Sequence, residues 1–204
     1  MQATASLNAQ LLAYETIRHN IIHGDLPGGK KLIEERLAEQ IGVSRTPIRE
    51  AIRRLEQEGF IKNKRVYVPT KVDLKQLYEV KSLILCHCVQ LAASVLNDDE
   101  LLTIQHVLIE ASESQTNTVN NASKQFYETI VAACNNRLII TEITKIMSLI
   151  NMSNVVEPVN PRPNFISEQL EIVQTLLTRN ATKAHALMHK HIQVNSEYVL
   201  QFKK

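Results

Sequence analysis

Hydrophobic positions in the first third of the chain recur with a helical period, and turn signals interrupt them. Two short amphipathic helices are predicted there, and their buried stripes are Leu37, Ala38 and Ile41, then Ile48, Ala51, Ile52 and Leu55. Between them, Gly42 favours the positive φ that ends a helix, and Ser44 offers a hydroxyl that caps the next one. Residues 33–59 therefore predict a helix-turn-helix.

The segments on either side complete a small domain. A wide apolar stripe predicts a helix over residues 7–23, and residues 30–32 are expected to pair as a strand with a later hairpin. Strand-forming residues follow at 60–61 and 66–68, and Asn63, Lys64 and Arg65 form the predicted tip between them. The pattern predicts a winged helix-turn-helix over residues 1–72.

Residues 73–204 show a helical period throughout. Proline cannot extend a strand ladder, so Pro69 marks the boundary, and Asp73 is expected to cap the next helix. Six helices are predicted, at 73–96, 98–114, 120–134, 137–153, 164–179 and 181–201. Short polar connections, including a Ser-Gln-Thr-Asn stretch and a loop over 158–163, favour an all-α antiparallel bundle. The helix at 137–153 is so apolar that we expect it at the centre. The fold class is mainly α.

Composition and charge argue against a membrane or secreted protein and indicate which part of the chain binds nucleic acid. Hydrophobic residues make up 44% of the chain, and no apolar run approaches the ~20 residues that span a bilayer. The start, MQATASLNAQ, lacks the regions of a signal peptide, so we expect a cytoplasmic protein without membrane contact. Cys86, Cys88 and Cys134 are an odd and sparse set, which predicts reduced thiols in helices. Residues 1–72 hold 12 Lys and Arg against 8 Asp and Glu, whereas residues 73–204 hold 11 against 13. The nucleic-acid footprint is therefore expected in the first third.

The second helix of the helix-turn-helix carries a cationic face opposite its buried stripe. Arg45, Arg49 and Arg53 follow at four-residue steps, with Thr46 near the amino end, where recognition helices meet base edges. A family resemblance rests on residues of this helix and of the segments around it. They are Gly24, Pro27, Gly28, Leu32, Leu37, Ala38, residues 42–47, residues 49–51, Leu55 and Gly59. Across residues 10–72 they resemble the winged helix of the GntR family of bacterial transcription regulators, which implies a regulator, most often a repressor, bound to double-stranded DNA.

The DNA contacts follow from this face. Arg45 and Arg49 are predicted to read base edges, because guanidinium groups match guanine O6 and N7. The residues predicted to position the phosphates are Arg36, Ser44, Thr46, Lys64 and Arg65. Many relatives carry glycine at the wing tip and this chain has none, which argues against insertion into the minor groove. One short helix makes few contacts, so a homodimer on a near-palindromic operator is expected.

The helical part resembles the FCD effector domains of the FadR branch of that family. The residues that carry the resemblance are Leu91, Ala92, Ala93, Phe126, Ile130, Asn135, Ala184, Met188, His191 and Ile192. Many such domains bind a divalent metal through one aspartate and three histidines. Here the corresponding positions are Ser123, Tyr127 and Gln169, and His191 alone keeps its type. Such a set lacks the charge and donor strength for a transition metal, so no metal and no cofactor are expected.

Two other clusters are not expected to hold a metal. Cys86 and Cys88 diverge on a helix, and His185 and His189 form a solvated pair. His191 shares an apolar stripe and is expected to face the bundle interior whether or not it binds a ligand.

A retained effector pocket would be lined by Lys81, Ser123, Tyr127, Gln169 and His191. That set suits a small carboxylate or an acyl ligand with a polar head. A closed pocket is the alternative. A helical-bundle enzyme lacks support, because no nucleophile elbow, phosphate-binding glycine loop or His-Glu-x-x-His occurs. An RNA-binding module lacks aromatic stacking residues, which total 4%. The sequence predicts a transcriptional regulator that is not an enzyme.

Overall fold

The protein's computed structural model describes residues 2–112, 116–156 and 160–203. Its elements are α1 (Gln2–His23), α2 (Glu34–Ile41), α3 (Arg45–Gln57), β1 (Ile61–Lys62), β2 (Arg65–Val66), α4 (Lys71–Val95), α5 (Asp98–Ser112), α6 (Thr116–Ala132), α7 (Arg137–Val156), α8 (Phe165–Leu177) and α9 (Ala181–Gln201). The predicted class is confirmed: a helix-turn-helix with a small wing precedes a mainly helical region. The six helices expected over residues 73–204 correspond to α4 to α9.

The helix-turn-helix forms as the hydrophobic pattern predicts. Gly42 ends α2 with φ 76°, and its N–H donates to the Ala38 carbonyl. Ser44 occupies the cap position of α3, but its hydroxyl makes no capping hydrogen bond, so that detail of the prediction is wrong. Because Ser44 is exposed, water is able to satisfy the first N–H groups of α3. On the other side of α3, the Tyr14 hydroxyl of α1 donates to Glu58 at 2.8 Å. This contact fixes α1 against α3.

The wing is a two-stranded antiparallel hairpin with a third segment beside it. Leu32 N–H donates to the Lys64 carbonyl, and Val66 N–H donates to the Lys30 carbonyl, as expected for residues 30–32. Asn63 and Lys64 form the turn with φ of 53° and 55°, the positive values that a tight two-residue hairpin requires. Arg65 lies in β2 rather than at the tip, so its predicted position is corrected.

The ends of the helices differ from the sequence-based bounds in informative ways. The first helix begins at Gln2, five residues before the predicted start. Asp73 lies inside the first turn of α4, which begins at Lys71, so it is not the cap; an acidic residue there still favours the helix dipole. Thr116 already belongs to α6. Ser114 and Gln115 of the predicted Ser-Gln-Thr-Asn connection, and part of the 158–163 loop, lie outside the described residues.

The helix α7 corrects the prediction about the centre of the bundle. Ile143 and Ile150 are buried as expected, but Leu138 is 77% exposed. The contacts divide the chain into two compact units, and α7 from Met147 onward groups with residues 1–70 rather than with the bundle. Periodicity shows that a helix face is buried but does not show which partner covers it. In the second unit, α4 and α9 make the most extensive pair instead.

None of the helices in the described part of the chain combines the length and apolarity needed to cross a bilayer.

Candidate nucleic-acid interface and buried polar cluster

The exposed face of α3 carries the cations at which DNA contact is predicted. The buried side of the helix consists of Pro47, Ile48, Ala51, Ile52 and Leu55. The predicted contact residues are all exposed: Arg36, Ser44, Arg45, Thr46, Arg49, Lys64 and Arg65. The side chains of Arg45 and Arg49 are 56% and 63% exposed, so a ligand can reach their guanidinium groups. One face of α3 is therefore buried, and the opposite face is positively charged and exposed.

An acidic residue links the recognition helix to the wing. Oε2 of Glu34 accepts hydrogen bonds from Nε and Nη2 of Arg49 at 3.3 and 3.2 Å. Oε1 of the same carboxylate lies 3.5 Å from Nζ of Lys64. Burial opposes the charge on Glu34, but Arg49 and then Lys64 lower its pKa below the usual value. The ionised carboxylate of Glu34 therefore holds two predicted DNA-contact residues, Arg49 and Lys64, close to each other.

Three other cations of this region, Arg45, Arg53 and Arg65, also have partners in the protein alone. Arg45 lies 2.9 Å from Glu35, and Arg53 donates to Glu50 at 2.9 Å. Nη1 of Arg65 donates to the Gly29 carbonyl at 3.0 Å. The Arg65 side chain therefore braces the wing, which leaves Lys64 as the cation at the turn.

We expect Lys64→Ala to weaken binding to all DNA sequences by a similar factor. A lysine that contacts phosphate contributes through counterion release, so the salt slope of the binding constant is expected to flatten by about one unit. Titrations of one operator and one unrelated duplex at several salt concentrations measure both effects. Lys124→Ala, an exposed change in α6, is the control and should leave the slope unchanged. A loss confined to the operator would contradict a phosphate role.

A second constellation lies inside the bundle and contains all five predicted pocket residues. Its buried members are Lys81, Ser123, Tyr127, Gln169, His191 and Arg162. Nε2 of Gln169 donates to Ser123 Oγ at 2.8 Å. The ammonium of Lys81 lies 4.2 Å from the ring centroid of Tyr127. The helices α4, α6, α8 and α9 thus bring the predicted residues together, and most of their polar atoms bind one another.

Two hydrogen bonds show which ring nitrogen of His191 carries the proton. One ring nitrogen, Nδ1, lies 2.7 Å from Glu168 Oε2, and the other, Nε2, lies 2.9 Å from the Tyr127 hydroxyl. A carboxylate accepts only, so Nδ1 carries the hydrogen and Nε2 accepts from Tyr127. His191 is 1% exposed, which confirms that it faces the interior. The ring therefore has no free lone pair.

Glu168 also pairs with Arg162, which the sequence analysis did not single out. Nη1 of Arg162 donates to Glu168 Oε1 at 2.7 Å, and Nη2 donates to Oε2. Burial opposes the charge on Glu168, but hydrogen bonds from His191 and Arg162 lower its pKa to about 2. Burial lowers the pKa of His191, although Glu168 acts in the opposite direction. At neutral pH the ion pair is therefore charged and the imidazole is neutral.

The residues present do not fit the divalent metal that the FCD resemblance implies. Both nitrogens of His191 are engaged, and Ser123 and Gln169 bind each other. Among the described residues, no group of three or more His, Cys, Asp or Glu side chains is placed to hold a metal ion. Neutral hydroxyl and amide oxygens are weak ligands for transition metals. The donor set is committed to internal hydrogen bonds.

We expect the purified protein to carry no stoichiometric zinc, nickel or manganese, because His191 is the one remaining ligand type. Elemental analysis of dialysed protein measures this directly. His191→Ala is the comparison variant. One metal ion per chain that survives dialysis and disappears in that variant would restore a metal-dependent site.

The roles of Glu34, Arg162 and Glu168 were only weakly indicated by the sequence. Glu34 and Glu168 lie in the first turns of α2 and α8, where acidic residues are common because they interact favourably with the helix dipole. Arg162 stands between two prolines in a connection that reads as a loop. The burial of Arg162 depends on a tertiary contact, which the hydrophobic periodicity of the sequence does not predict. Cys86 and Cys88 are buried, as expected for packing cysteines, whereas Cys134 follows α6 in a turn.

Comparisons with known proteins agree with this architecture. Residues 10–65 match the model for bacterial regulatory proteins of the gntR family, and residues 76–194 match the FCD domain. The Nta operon transcriptional regulator of Aminobacter aminovorans is 28% identical, covering 85% of this chain and 86% of its own. The HTH-type transcriptional repressor RspR of Escherichia coli is 22% identical, covering 100% and 93%.

Solved structures give the same fold. E. coli McbR/YncC superposes with a TM-score of 0.76 at 21% identity, covering 95% of this chain and 97% of that one. A putative GntR transcriptional regulator from Rhodococcus sp. RHA1 gives 0.79 at 18% identity, covering 96% and 99%.

Proposed function

Since the chain belongs to the gntR family of bacterial regulatory proteins, with an FCD domain behind its winged helix, we propose that it is a homodimeric repressor of transcription. As a member of this family it is a DNA-binding transcriptional regulator. Repression is supported by the similarity to RspR of E. coli, which is a transcriptional repressor. The proposal places the protein in the cytoplasm, where genomic DNA lies, and assigns it no catalysis.

The recognition face of α3 carries this proposal. Arg45, Thr46 and Arg49 are exposed near the amino end of the helix, while the opposite side is buried. An α-helix with this distribution fits the major groove, where arginine discriminates guanine. Lys64 lies on the same side, because it shares Glu34 with Arg49. The helix is therefore proposed to read bases while the wing contacts backbone.

A gel-shift experiment with duplex DNA from upstream of the protein's own gene tests the proposal. Binding that survives excess unrelated duplex, and that protects two half-sites about one helical turn apart, is expected. An equal affinity for all duplexes would remove the sequence-specific role. Binding to single-stranded RNA in preference to duplex DNA would favour a different class of nucleic-acid protein.

The homodimer is supported by an exposed apolar row on α4. Val80, Leu83 and Val95 are 44%, 75% and 58% exposed. Ile84 and Leu91 lie half-buried between them at helical spacing. Exposed apolar rows of this kind usually pack against a partner. A second copy is the proposed partner, because two recognition helices are needed for selective binding to a near-palindromic operator.

We expect Leu83→Glu to convert the full-length protein into a monomer at micromolar concentration, because the carboxylate would be buried without a partner. Light scattering after size exclusion measures the mass. Thr182→Glu, an exposed change in the first turn of α9, is the matched control and should remain dimeric. A dimeric Leu83→Glu variant would show that the partner binds another surface.

An effector is proposed to act by favouring one spacing of the two winged helices in the dimer. A ligand shifts such an equilibrium only through its different affinity for the two states. A coupling of ~1 to 3 kcal/mol changes operator affinity about 5- to 150-fold. The proposed contacts are Lys81, Ser123, Tyr127, Gln169 and His191. A closed pocket with regulation by other means is the competing proposal, and it draws support from the internal hydrogen bonds of that cluster.

A further inference from the structure

Two of the three cysteines meet inside the helical unit. Cys88 lies on α4 and is 0% exposed, and Cys134 lies in the turn that follows α6. Both thiols are free, and a hydrogen bond joins the two side chains. The packing of α4 against α6 therefore brings together two thiols that are far apart in the sequence.

The two thiols differ in their access to solvent. Cys134 is partly exposed, whereas Cys88 is buried. Burial raises the pKa of Cys88, and the neighbouring Cys134 thiol adds to the shift, so Cys88 is protonated at neutral pH. The thiolate is the form of cysteine that reacts with oxidants. An oxidant from solvent therefore reaches and oxidises Cys134 first, and Cys88 is placed to react with the product.

Cys86, the third cysteine, points away from this pair. Residues two apart on a helix differ in direction by about 200°. Sγ of Cys86 lies 3.9 Å from Oγ of Ser82 and donates to the carbonyl of His185 at 3.9 Å. Cys86 is thus buried against α9, and it provides a matched control for the pair.

We propose that Cys134 and Cys88 are a peroxide-reactive pair that closes to an intramolecular disulfide. In the first step the Cys134 sulfur attacks one oxygen of hydrogen peroxide and the O–O bond breaks. The products are a sulfenic acid and a hydroxide, which takes up the thiol proton and leaves as water. In the second step the Cys88 sulfur attacks the Cys134 sulfur, the S–O bond breaks, and the hydroxide leaves with the Cys88 proton as a second water. The two thiols lose two electrons, which reduce one peroxide.

The second step needs only a local movement. The sulfurs must approach from hydrogen-bond contact to about 2.05 Å. Cys134 lies beyond Ala132, the last residue of α6, so its sulfur is able to shift without loss of the hydrogen bonds inside that helix. Cys88 is held within α4, which extends from Lys71 to Val95. Their contact gives the reaction the high effective concentration of an intramolecular step.

The disulfide would link two helices that carry other proposed features. The helix α4 carries the exposed apolar row around Leu83, and α6 carries Ser123 and Tyr127 of the buried cluster. The regulatory consequence rests on the proposed function: a bond between α4 and α6 favours one arrangement of the dimer, and so changes operator affinity. Disulfides in a reducing compartment are usually transient and often redox-sensing, which fits a bond that cellular dithiols reverse.

Mass spectrometry of the full-length protein, after treatment with a small excess of hydrogen peroxide, tests the bond. We expect the wild type to lose two hydrogens, about 2 Da, and dithiothreitol to restore them. Thiol titration should fall from the three cysteines of the chain to one. Cys86→Ala should lose the same mass. Cys134→Ser should not, and Cys88→Ala should stop at a sulfenic acid on Cys134 that dimedone traps.

Three outcomes would overturn the inference. The first is a loss of two hydrogens that persists in Cys134→Ser, which would place the bond between Cys86 and Cys88. The second is addition of oxygen to the wild type without any loss of hydrogen. The third is a bond between two chains, seen as a covalent dimer in non-reducing electrophoresis.

Fluorescence anisotropy with the operator tests the regulatory consequence separately. The oxidised wild type and oxidised Cys86→Ala should each differ from their reduced forms by about fivefold or more in affinity, and Cys134→Ser should not respond to peroxide. An intramolecular bond with unchanged affinity would reject the regulatory role of the pair. Reduced protein without sequence-specific DNA binding would reject the regulator proposal, while the mass measurement would still decide whether the bond forms.

Discussion

Arg162→Gln is expected to lower the free energy of unfolding by about 2–3 kcal/mol, because it leaves the Glu168 carboxylate without its bidentate partner. The effect should fall below that of a fully buried pair, since the Glu168 side chain is 29% exposed and His191 still donates to it. Urea unfolding of the full-length protein, monitored by circular dichroism at neutral pH, measures the change. In the double variant Arg162→Gln with Glu168→Gln, no charge is stranded, so we expect it to recover a large part of the loss.

The same variant has a pH signature. Burial raises the pKa of Glu168, but His191 and Arg162 outweigh it and lower the pKa from 4.5 to about 2. Between these values the unfolded chain binds more protons than the folded one, so this contribution to stability is complete above 4.5 and is lost as the pH falls towards 2. The difference between wild type and Arg162→Gln should therefore shrink at about pH 3. A difference that is independent of pH would show that Arg162 acts by packing rather than by charge.

Arg49→Ala is expected to weaken operator binding by about 1 to 3 kcal/mol and to relax the sequence preference. In affinity this is roughly 5- to 150-fold. The reason is geometric: the planar guanidinium of Arg49 is exposed near the start of α3, and Glu34, which accepts from its Nε and Nη2, orients the side chain. A bidentate donor of this kind distinguishes guanine from the other bases in the major groove. Fluorescence anisotropy with the operator and with single-base variants measures affinity and preference together.

Arg53→Ala is the matched control for Arg49→Ala. It lies one turn further along the same row, is 68% exposed and pairs with Glu50, so it should leave the sequence preference intact. Arg49→Lys adds a second comparison, because it keeps the charge but loses the fork. If Arg49→Ala weakened the operator and unrelated DNA by the same factor, Arg49 would be a phosphate contact. If selectivity did not change at all, the recognition-helix assignment would be wrong.

Glu34 explains how the predicted DNA-binding surface stays ordered in the absence of DNA although it carries several positive charges. Its carboxylate partly neutralises Arg49 and Lys64 until DNA arrives, and it holds both side chains on one side of the winged helix. Guanine and phosphate must therefore compete with an internal carboxylate. Such competition lowers the affinity for any DNA and leaves selectivity to the base contacts.

The sequence by itself determined the elements whose cause is local. The apolar stripes around Leu37 and Ile48, with Gly42 between them, are enough to predict the helix-turn-helix. Helical periodicity and turn residues are local signals, because each depends on only a few neighbouring positions. The exposed Arg45 and Arg49 follow from the same period. The bundle resemblance also identified five residues that the fold brings into one cluster, because their helical registers all point inward.

Tertiary structure alone decided which charges meet. Glu34 reaches Arg49 and Lys64, and Arg162 enters the bundle from a proline-flanked connection to pair with Glu168. These contacts join separate elements, and no periodicity encodes them. Tertiary packing likewise assigned the second half of α7 to the first unit, since an apolar face is compatible with any apolar partner. A helix register fixes the direction of a side chain relative to its own axis, whereas the group it meets depends on how the elements pack.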